Sequence, residues 1–437
     1  MANSAKKDFE KIRKQMRSTL DSERNNFQKS LITRPAPSKA SRNLSANKDF
    51  EKVRRGMQKT VKNISIKKEK SVKYTVAKHK AMEHKAIKLK ISKKELRSVA
   101  RKQKAAAENT AGVKTLSKRE IGLAIQQLFA VKKEMKKIVV GQDDTVDSLL
   151  RAMLCHGHVL VEGVPGIAKT LIIRALAETL GCKFQRVQFT ADLLPSDLVG
   201  INAYEKSKGF YTIKGPVFAN FILADEINRA PPKVQAALLE AMQDRKVSIA
   251  KTTFDLPNPF FVMATQNPLE SLGVYPLPQA QIDRFLFKVQ MGYPSPEEEE
   301  SILLKNITLE DFSHFKLKQI LSPEKILYLQ KLAKKIYLSD RIEKYIINII
   351  GKTREQSQEG LMHFVQWGAS PRASIGLYIG SKAVALMEGS SYVKPQHVKK
   401  VAHEVLRHRL LLNYEGQAEG IDTNDIVNQI ISKVPVP

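Results

Sequence analysis

A short glycine-containing segment constrains the fold of this chain more than any other feature. Residues 163–170 read GVPGIAKT. They follow a short apolar run at 158–161 that predicts a buried strand, and they open a helical pattern over 169–180. A strand, a glycine-containing turn and a helix that begins with Lys-Thr form the context of a phosphate-binding loop. The segment therefore predicts an α/β fold with a phosphate site beside the end of a strand.

The residue types of this loop suit phosphate. Glycines let backbone N–H groups turn toward phosphate oxygens, and the start of the helix adds a favourable dipole. Lys169 can reach the β- and γ-phosphates of a nucleotide, and the Thr170 hydroxyl can ligate Mg²⁺. The general pattern has glycine at position 168, where this chain has Ala168, and we expect alanine there to keep a negative φ. The candidate binding residues of the loop are Gly163, Val164, Pro165, Gly166, Ile167, Ala168, Lys169, Thr170 and Leu171.

Strand and helix patterns alternate after the loop. Apolar runs predict strands at 184–189, 221–224 and 260–264, and helical spacing recurs between them, notably at 233–243. Strands that alternate with helices predict a parallel sheet with crossover connections. After Pro296 the strand signals stop and helical patterns continue to the C-terminus. The sequence therefore predicts an α/β domain followed by a separate α-helical domain.

Two adjacent acids follow the predicted strand 221–224. Asp225 at the end of a buried strand can hold Mg²⁺ through water. Glu226 can act as the base that orients an attacking water. Acids in an apolar run are costly to bury unless a metal or hydrogen bonds offset the loss of hydration. An alternative remains open at this point, in which the two acids only cap the following helix.

The charge of the chain is concentrated at its N-terminal end. The net charge is +29, and residues 1–120 contain 35 Lys and Arg against 11 Asp and Glu, a balance of +24. The remainder contains 38 against 33, a balance of +5. The sequence thus predicts a basic extension at 1–118 that suits an anionic partner, either nucleic acid, an acidic membrane face or an acidic protein. A solvated basic tail without a ligand is the alternative.

The extension contains an internal repeat. Residues 4–20 recur as residues 45–61, and ten of the 17 aligned positions are identical. In both copies the apolar residues follow steps of three, four and four, which is the spacing of one stripe on a helix. Basic amphipathic helices suit an anionic membrane face, and two copies suit attachment at two points on a repeated partner.

Two cysteines, Cys155 and Cys182, are too few for a disulfide framework or a cysteine-rich zinc site. We expect both to be small buried apolar groups in a reducing cytosol. The N-terminus lacks the apolar region of a secretory signal, and no run of 18 apolar residues predicts a membrane span. The expected location is cytoplasmic, with peripheral attachment through the extension as an option.

Several longer motifs make a family resemblance recognisable. They read GHVLVEGVPGIAKT, TADLLPSDLVG, FANFILADEINRAPPKVQAALLEAMQD, MATQNPLE, YPLPQAQIDRFLF and GASPRA. In this order they closely resemble the MoxR family of AAA+ ATPases, of the helix-2-insert clade, over roughly 119–437. The resemblance implies an αβα nucleotide domain at 119–296, an α-helical lid at 297–437, ATP and Mg²⁺ as ligands, and assembly into a ring, usually a hexamer. The family's own loop also has alanine at the position of Ala168.

The resemblance also implies roles for residues outside the loop. Gly141 and Gln142 resemble the segment that packs on adenine. Asn267 resembles the sensor that positions the attacking water. Arg284 resembles the arginine finger given to the neighbouring subunit, and Arg372 resembles the lid sensor of the γ-phosphate. With Glu226 these three form the implied catalytic set, and Thr170 and Asp225 form the implied metal set.

Two further segments and one residue bear on coupling to a substrate or between subunits. Residues 192–215 resemble the insert that defines the clade, and residues 247–258 resemble its hairpin insert. Such inserts face the substrate in relatives, although simple surface decoration is the alternative. Gln279 stands where the family usually has an acid, and this departure leaves the coupling between subunits in question.

The implied function is an ATP-driven chaperone or remodelling motor that acts on a protein partner. Members of the family commonly act beside proteins with von Willebrand factor A domains. Two alternatives stay open, and both use the basic extension. One is a motor tethered to nucleic acid or to a membrane, although the extension has few aromatic side chains for stacking on bases. The other is a nucleotide-gated scaffold.

Overall fold

The first described helix shows how local sequence sets the element boundaries. In this computed structural model, α1 spans Lys118–Met135. The Ser117 hydroxyl accepts from the Glu120 N–H, and the Glu120 carboxylate accepts from the Ser117 N–H at 3.0 Å. This capping box satisfies N–H groups that the first turn leaves unpaired. The structure describes residues 116–207, 209–268, 273–305, 312–355 and 360–437, so all but the end of the predicted extension, including both repeats, lies outside the described residues.

A five-stranded parallel sheet forms the centre of the described chain, and it confirms the α/β fold class. Its strand order is β2-β5-β8-β1-β9. The strands are β1 Val159–Gly163, β2 Phe184–Gln188, β5 Phe221–Asp225, β8 Phe261–Gln266 and β9 Phe287–Met291. The first four lie where apolar runs predicted them. The sequence patterns did not indicate β9, which pairs with β1 at one edge of the sheet.

Helices cover both faces of this sheet. Val159 and Val161 pack into one apolar cluster and Leu160 into another, because successive side chains of a strand point to opposite faces. The helices of this part are α2 Asp143–Leu154, α3 Lys169–Thr179, α5 Pro232–Asp244 and α6 Gln279–Ile282. Cys155 and Cys182 are free thiols packed against the first cluster, and burial raises the pKa of both, that of Cys182 to about 12.

Two antiparallel hairpins extend from the sheet domain. One follows the short helix α4 (Pro195–Val199) and consists of β3 Gly200–Glu205 and β4 Gly209–Lys214. The other consists of β6 Lys246–Ile249 and β7 Thr252–Asp255. The first lies within the segment 192–215, and the second begins one residue before the segment 247–258; these are the segments that resemble the two inserts.

Helices dominate the chain after β9. They are α7 Pro296–Lys305, α8 Pro323–Lys335, α9 Asp340–Arg354, α10 Pro371–Met387, α11 Pro395–Leu406, α12 Tyr414–Ala418 and α13 Thr423–Lys433. The α-helical lid is thereby confirmed, with one correction. A two-stranded sheet of β10 (Val365–Trp367) and β11 (Leu411–Leu412) interrupts it. Strands this short produce no readable alternation in sequence.

The lid and the sheet domain share apolar packing. Side chains of α10 and α11 belong to the same buried cluster as those of β1 and β9. The division at 118/119 and 296/297 stays a prediction. Within the described residues, none of the helices has the length and apolar composition needed to cross a bilayer.

Candidate active site

The loop between β1 and α3 is anchored in the core and faces a cavity with its other side. Ile167 is buried, whereas Val164 and Leu171 are partly buried against the apolar cluster. A Cβ at Gly163 would stand 2.6 Å from Ile167 Cδ1 and 2.9 Å from the Met291 carbonyl oxygen, so only glycine fits there. The side of the loop that lines the cavity comprises Pro165, Gly166, Ile167, Ala168, Lys169, Thr170 and Leu171.

The backbone of Ala168 corrects one expectation. Its φ is +64°, in the left-handed region, and Gly166 has φ +85°. We expected a negative φ for alanine at 168, and that expectation is wrong. The chain must turn sharply at 168 to start α3 directly at Lys169, and the left-handed conformation provides this turn. Alanine has only a methyl side chain, so the steric cost of the left-handed conformation at position 168 is lower than for a larger residue.

The two acids lie at the end of β5 with defined partners. Asp225 accepts from the Thr265 hydroxyl at 2.7 Å and from Arg186 Nη2 at 2.6 Å. The Glu226 carboxylate accepts from Gln188 Nε2 at 2.6 Å and lies 3.1 Å from Arg229 Nε. Both acids line the same cavity as the loop. Their partners are not those of helix-capping groups, which argues against the capping alternative.

Glu226 is held by its backbone as well as by its side chain. Its φ is +55°, and its N–H donates to the Thr265 hydroxyl at 2.8 Å. Thr265 is 1% exposed, on the neighbouring strand β8. One hydroxyl therefore fixes both acids. Asn267, directly after β8, is 9% exposed and lines the same cavity.

An apolar region completes the cavity, which has a volume of about 860 Å³. Gln142 lines it, and Gln142 Nε2 donates to the Gly292 carbonyl at 3.3 Å. Gly141, the preceding residue, has φ +70°, and a Cβ there would stand 2.6 Å from Glu298 Oε2. Outside the loop, the apolar and aromatic residues that line the cavity are Ile138, Val140, Tyr293, Pro294, Ile302, Leu303, Phe312 and Phe315.

The cavity fits a nucleoside triphosphate with a divalent cation. An apolar wall suits a base, and the loop suits phosphates. The Thr170 hydroxyl and the Asp225 carboxylate line the same cavity and supply the oxygen ligands that Mg²⁺ prefers. The Lys169 ammonium donates to the Gly163 carbonyl and so lies within the loop.

Arg284 and Arg372 lie elsewhere. Both are exposed and line a second cavity of about 270 Å³, together with Arg245, Arg409 and Asp283. Arg372 Nη1 is 3.4 Å from Asp283 Oδ2, and Arg284 Nη1 donates to the Leu239 carbonyl at 3.2 Å. The structure thus brings Lys169, Thr170, Asp225, Glu226 and Asn267 together and places the two arginines in a separate group.

The side chain of Gln279 has a partner within its own chain. Gln279 Nε2 donates to the His408 carbonyl at 2.5 Å, and His408 belongs to the lid. An ionised carboxylate at this position has no proton to donate to that carbonyl. The glutamine thus links α6 to the lid.

Sequence patterns missed three polar residues that line the first cavity, Arg174, Arg186 and Thr265, and also Gln188, which donates to Glu226. Arg174 lies 4.1 Å from the centre of the Phe312 ring, and Arg186 and Thr265 hold Asp225. Gln188 pairs with Asp225 in register on the neighbouring strand. The available signal was alternation: Arg186 and Gln188 occupy every second position of β2, on its polar side.

Two family models match the chain. The ATPase family associated with various cellular activities matches residues 158–287, and the AAA lid domain matches residues 363–430. The first covers the loop, both acids, Asn267 and Arg284. The second covers Arg372 and His408.

Relatives and a solved structure agree with these matches. The chain is 48% identical to Chaperone MoxR1 of Mycobacterium tuberculosis over 70% of its own length and 81% of that protein. It is 30% identical to Protein MoxR of Methylorubrum extorquens over 70% of its length and 94% of that protein. A crystal structure of a protein described as an ATPase from Cytophaga hutchinsonii aligns with a TM-score of 0.69 at 44% identity, over 73% of this chain and 97% of that one.

Proposed function

The chain belongs to the MoxR family of AAA+ ATPases and is an ATPase, and on this basis we propose that it is the subunit of a ring that remodels a protein partner. One observation carries the proposal. The loop and acids line one cavity, whereas two exposed arginines line another. Because these arginines lie outside the phosphate cavity of their own chain, we infer that they contact the nucleotide phosphates bound by a neighbouring subunit.

Nucleotide binding follows from the first cavity. The backbone N–H groups of the loop and the Lys169 ammonium would hold the phosphates, and the apolar wall beside Gln142 would hold the base. Thr170 and Asp225 would hold Mg²⁺, which supplies charge neutralisation at the phosphates when it is bound. The Arg186 guanidinium lies beside Asp225 in the same cavity and adds positive charge there.

Hydrolysis needs an oriented water and a proton acceptor. Glu226 is placed for both roles, because its carboxylate faces the cavity and its position is fixed by Gln188, Arg229 and Thr265. In this mechanism the water donates one proton to a Glu226 oxygen as it attacks. The Asn267 side chain holds the water in line. We propose this pair as the water-activating residues.

The trans contribution comes from Arg284 and Arg372. Both guanidiniums are exposed and lie near each other in the second cavity, so a subunit that docks there would meet both. We therefore propose that Arg372, like Arg284, contacts the γ-phosphate of the nucleotide bound by the neighbouring subunit. An arginine given in trans can contribute about 10³–10⁵ in rate.

We propose that the hairpin β3–β4 forms the surface that contacts the protein partner. Its large apolar side chains remain exposed: Ile201, Tyr204, Phe210, Tyr211 and Ile213. Tyr204 and Phe210 are cross-strand partners with ring centres 5.0 Å apart. An exposed apolar patch of this kind marks an interaction site. We propose that it binds apolar segments of the partner, which in this family would include proteins with von Willebrand factor A domains.

The basic extension is proposed to tether the ring to an anionic partner. Its charge of +24 supports this, and the repeat at 4–20 and 45–61 suits attachment at two points. Nucleic acid, an acidic membrane and an acidic protein remain the three classes of partner.

Steady-state ATP turnover tests the proposal. We would measure the full chain, Glu226→Gln and Arg284→Ala over a range of protein concentrations. Turnover per subunit should rise with concentration, because the site is completed by a neighbour. Both variants should bind ATP and lose turnover, Arg284→Ala by about 10³-fold or more. Turnover per subunit that is independent of concentration, with an active Arg284→Ala variant, would exclude the trans assignment.

A further inference from the structure

The turn that carries Arg284 is bonded to the lid by a buried guanidinium. The Arg409 side chain is 3% exposed. Arg409 Nε donates to Asp283 Oδ1 at 2.7 Å, and Nη2 donates to the carbonyls of Asp283 and Phe285 at 3.0 and 2.7 Å. Arg409 Nη1 donates to the carbonyls of Leu286 and Val405. These contacts use all five donors of the guanidinium, and four of the bonds end on residues 283–286.

The Asp283 carboxylate contacts three residues of the lid. Besides Arg409, it accepts from the Ser370 hydroxyl, which lies 3.0 Å from each oxygen. Arg372 Nη1 lies 3.4 Å from Asp283 Oδ2. The Asp283 side chain is 17% exposed, and Asp283 is the one acid among the residues that line the second cavity, which include four arginines. Its charge is therefore the local partner of both the buried and the exposed guanidiniums.

This arrangement links the positions of the two exposed arginines. Asp283 directly precedes Arg284 in the chain, so bonds that fix Asp283 fix the start of the Arg284 side chain. The same carboxylate contacts Arg372 through its other oxygen. Because the Arg372 side chain is 47% exposed, few other contacts hold its guanidinium. A single carboxylate thereby sets the spacing between one arginine of the sheet domain and one of the lid.

We propose that Asp283 is a positioning residue that holds Arg284 and Arg372 as one unit for the neighbouring subunit's phosphate. The inference rests on the proposed function, in which both arginines act in trans. Asp283 touches no nucleotide in this scheme. It acts through the geometry of the two guanidiniums, with Arg409 as the buried link to the lid.

Two substitutions test the role. Asp283→Asn keeps the shape of the side chain and removes the charge. Asp283→Glu keeps the charge beside buried Arg409 and displaces the carboxylate by one methylene. We expect Asp283→Asn to lower kcat about 100-fold and Asp283→Glu about 10-fold, with KM for ATP within about twofold of the parent, since a 1 Å misplacement can cost about 10² in rate. Asp255→Asn, at an acid that is 80% exposed, is the matched control and should keep parental turnover.

Mixed rings separate positioning from a merely structural defect. Each Asp283 variant is mixed with inactive Glu226→Gln subunits before assembly. The variant's own site is intact and receives an unaltered Arg284 and Arg372 from a Glu226→Gln neighbour, so turnover per variant subunit should recover at least about 10-fold over Asp283→Asn alone and at least about threefold over Asp283→Glu alone. Arg284→Ala mixed with Glu226→Gln is the reference and should recover likewise.

The outcomes are distinguishable. Recovery in both mixtures supports the inference. Recovery with Arg284→Ala but not with either Asp283 variant overturns it, because the defect then lies within the variant's own site. No recovery in any mixture removes the trans assignment itself and the inference with it. Should Asp283→Asn lose its cooperative thermal transition, the charge-preserving Asp283→Glu decides between these outcomes.

Discussion

Ala168 combines a strained backbone conformation with a small side chain. Its left-handed φ costs an L-residue about 1–2 kcal/mol relative to the right-handed region, and glycine avoids this cost. Glycine in turn loses about 0.5–1 kcal/mol through the greater freedom of the unfolded chain. The side chain is exposed toward the cavity, so no packing is lost on its removal.

We therefore predict that Ala168→Gly raises the free energy of unfolding by about 0.5 kcal/mol and leaves ATP binding intact. Ala168→Val should lower that free energy by at least about 1 kcal/mol, because a β-branched residue is poorly tolerated at positive φ. Urea unfolding at fixed pH measures both. A glycine variant less stable than the parent would show that the loop does not strain Ala168.

His158 is a buried neutral imidazole at the start of β1. Nδ1 accepts from the Val262 N–H at 3.1 Å, and the other ring nitrogen lies 3.1 Å from the Met242 carbonyl, to which it donates. Burial is the main cause that lowers the pKa of His158 from 6.5 to about 4. The unfolded chain therefore takes up a proton on this ring at a higher pH than the folded chain does.

The pH dependence of stability follows from this difference. Between about pH 6.5 and pH 4 the unfolded state binds the proton and the folded state does not, so acidification favours unfolding. We predict that His158 alone lowers the free energy of unfolding by up to ~3 kcal/mol over this interval, since one pKa unit corresponds to about 1.4 kcal/mol. Urea unfolding from pH 7 to pH 4 measures the slope. A His158→Gln variant with the same slope as the parent would contradict the assignment.

Among the elements, the three interior strands and the edge strand β2 were predicted from apolar runs, and the other edge strand, β9, was not. The strands at 159–163, 221–225 and 261–266 are almost fully buried and so read as apolar runs. Strand β9 alternates buried and exposed residues, with Lys288 and Gln290 between apolar positions. Lys288 pairs with Glu162 at 2.6 Å, an ion pair that no local pattern could indicate.

The residues of the candidate site likewise fall into those that the sequence indicates and those that only the fold brings together. Lys169, Thr170, Asp225 and Glu226 belong to contiguous motifs whose chemistry is readable from sequence. Thr265 and Arg186 act on Asp225 only because β2, β5 and β8 are neighbours in the sheet. Strand order is a tertiary property, so the partners of the acids could not be predicted from spacing. Likewise, the separation of Arg372 from the loop depends on how the lid packs.

The hairpin β3–β4 supplies a prediction at the scale of the element. Tyr204→Ser with Phe210→Ser should leave basal ATP turnover within about twofold and should reduce its stimulation by casein, used as an unfolded test polypeptide, at least fivefold. The reason is the loss of the apolar pair that the partner would cover, since aromatic side chains dominate contact energies.

Asn202→Ser with Thr212→Ser is the matched control for this experiment. These two residues form the neighbouring cross-strand pair on the same face of the hairpin, are joined by a hydrogen bond of 3.2 Å and carry no large apolar group. Full stimulation in both double variants would assign the contact with the partner to another surface.

At the scale of the whole molecule, charge divides the chain unequally. Residues 121–437 carry 38 basic and 33 acidic side chains, whereas most of the excess positive charge precedes them. A nearly neutral ATPase with a basic extension can bring its activity to an anionic surface without changing the site itself. We propose that the extension determines where the ATPase acts rather than how fast it hydrolyses ATP.

Binding to anionic vesicles tests this division. We predict that the full chain sediments with phosphatidylserine vesicles at 50 mM salt and is released by 300 mM salt, because the attraction is electrostatic and screened. Phe9→Asp with Phe50→Asp should abolish sedimentation, since both apolar stripes lose their aromatic residue, and should keep ATP turnover. Phe27→Asp, between the two copies, is the control. Sedimentation of the double variant equal to that of the parent would exclude the repeats as the membrane contact.

The left-handed backbone of Glu226 has a consequence for laboratory evolution. A selection for heat resistance alone would favour residues that accept φ +55°, and glycine or asparagine accept it more readily than glutamate does. At position 168 such a change keeps the proposed chemistry, whereas at position 226 it removes the proposed base. Populations evolved for heat resistance should therefore converge on stable but inactive variants unless turnover is selected at the same time.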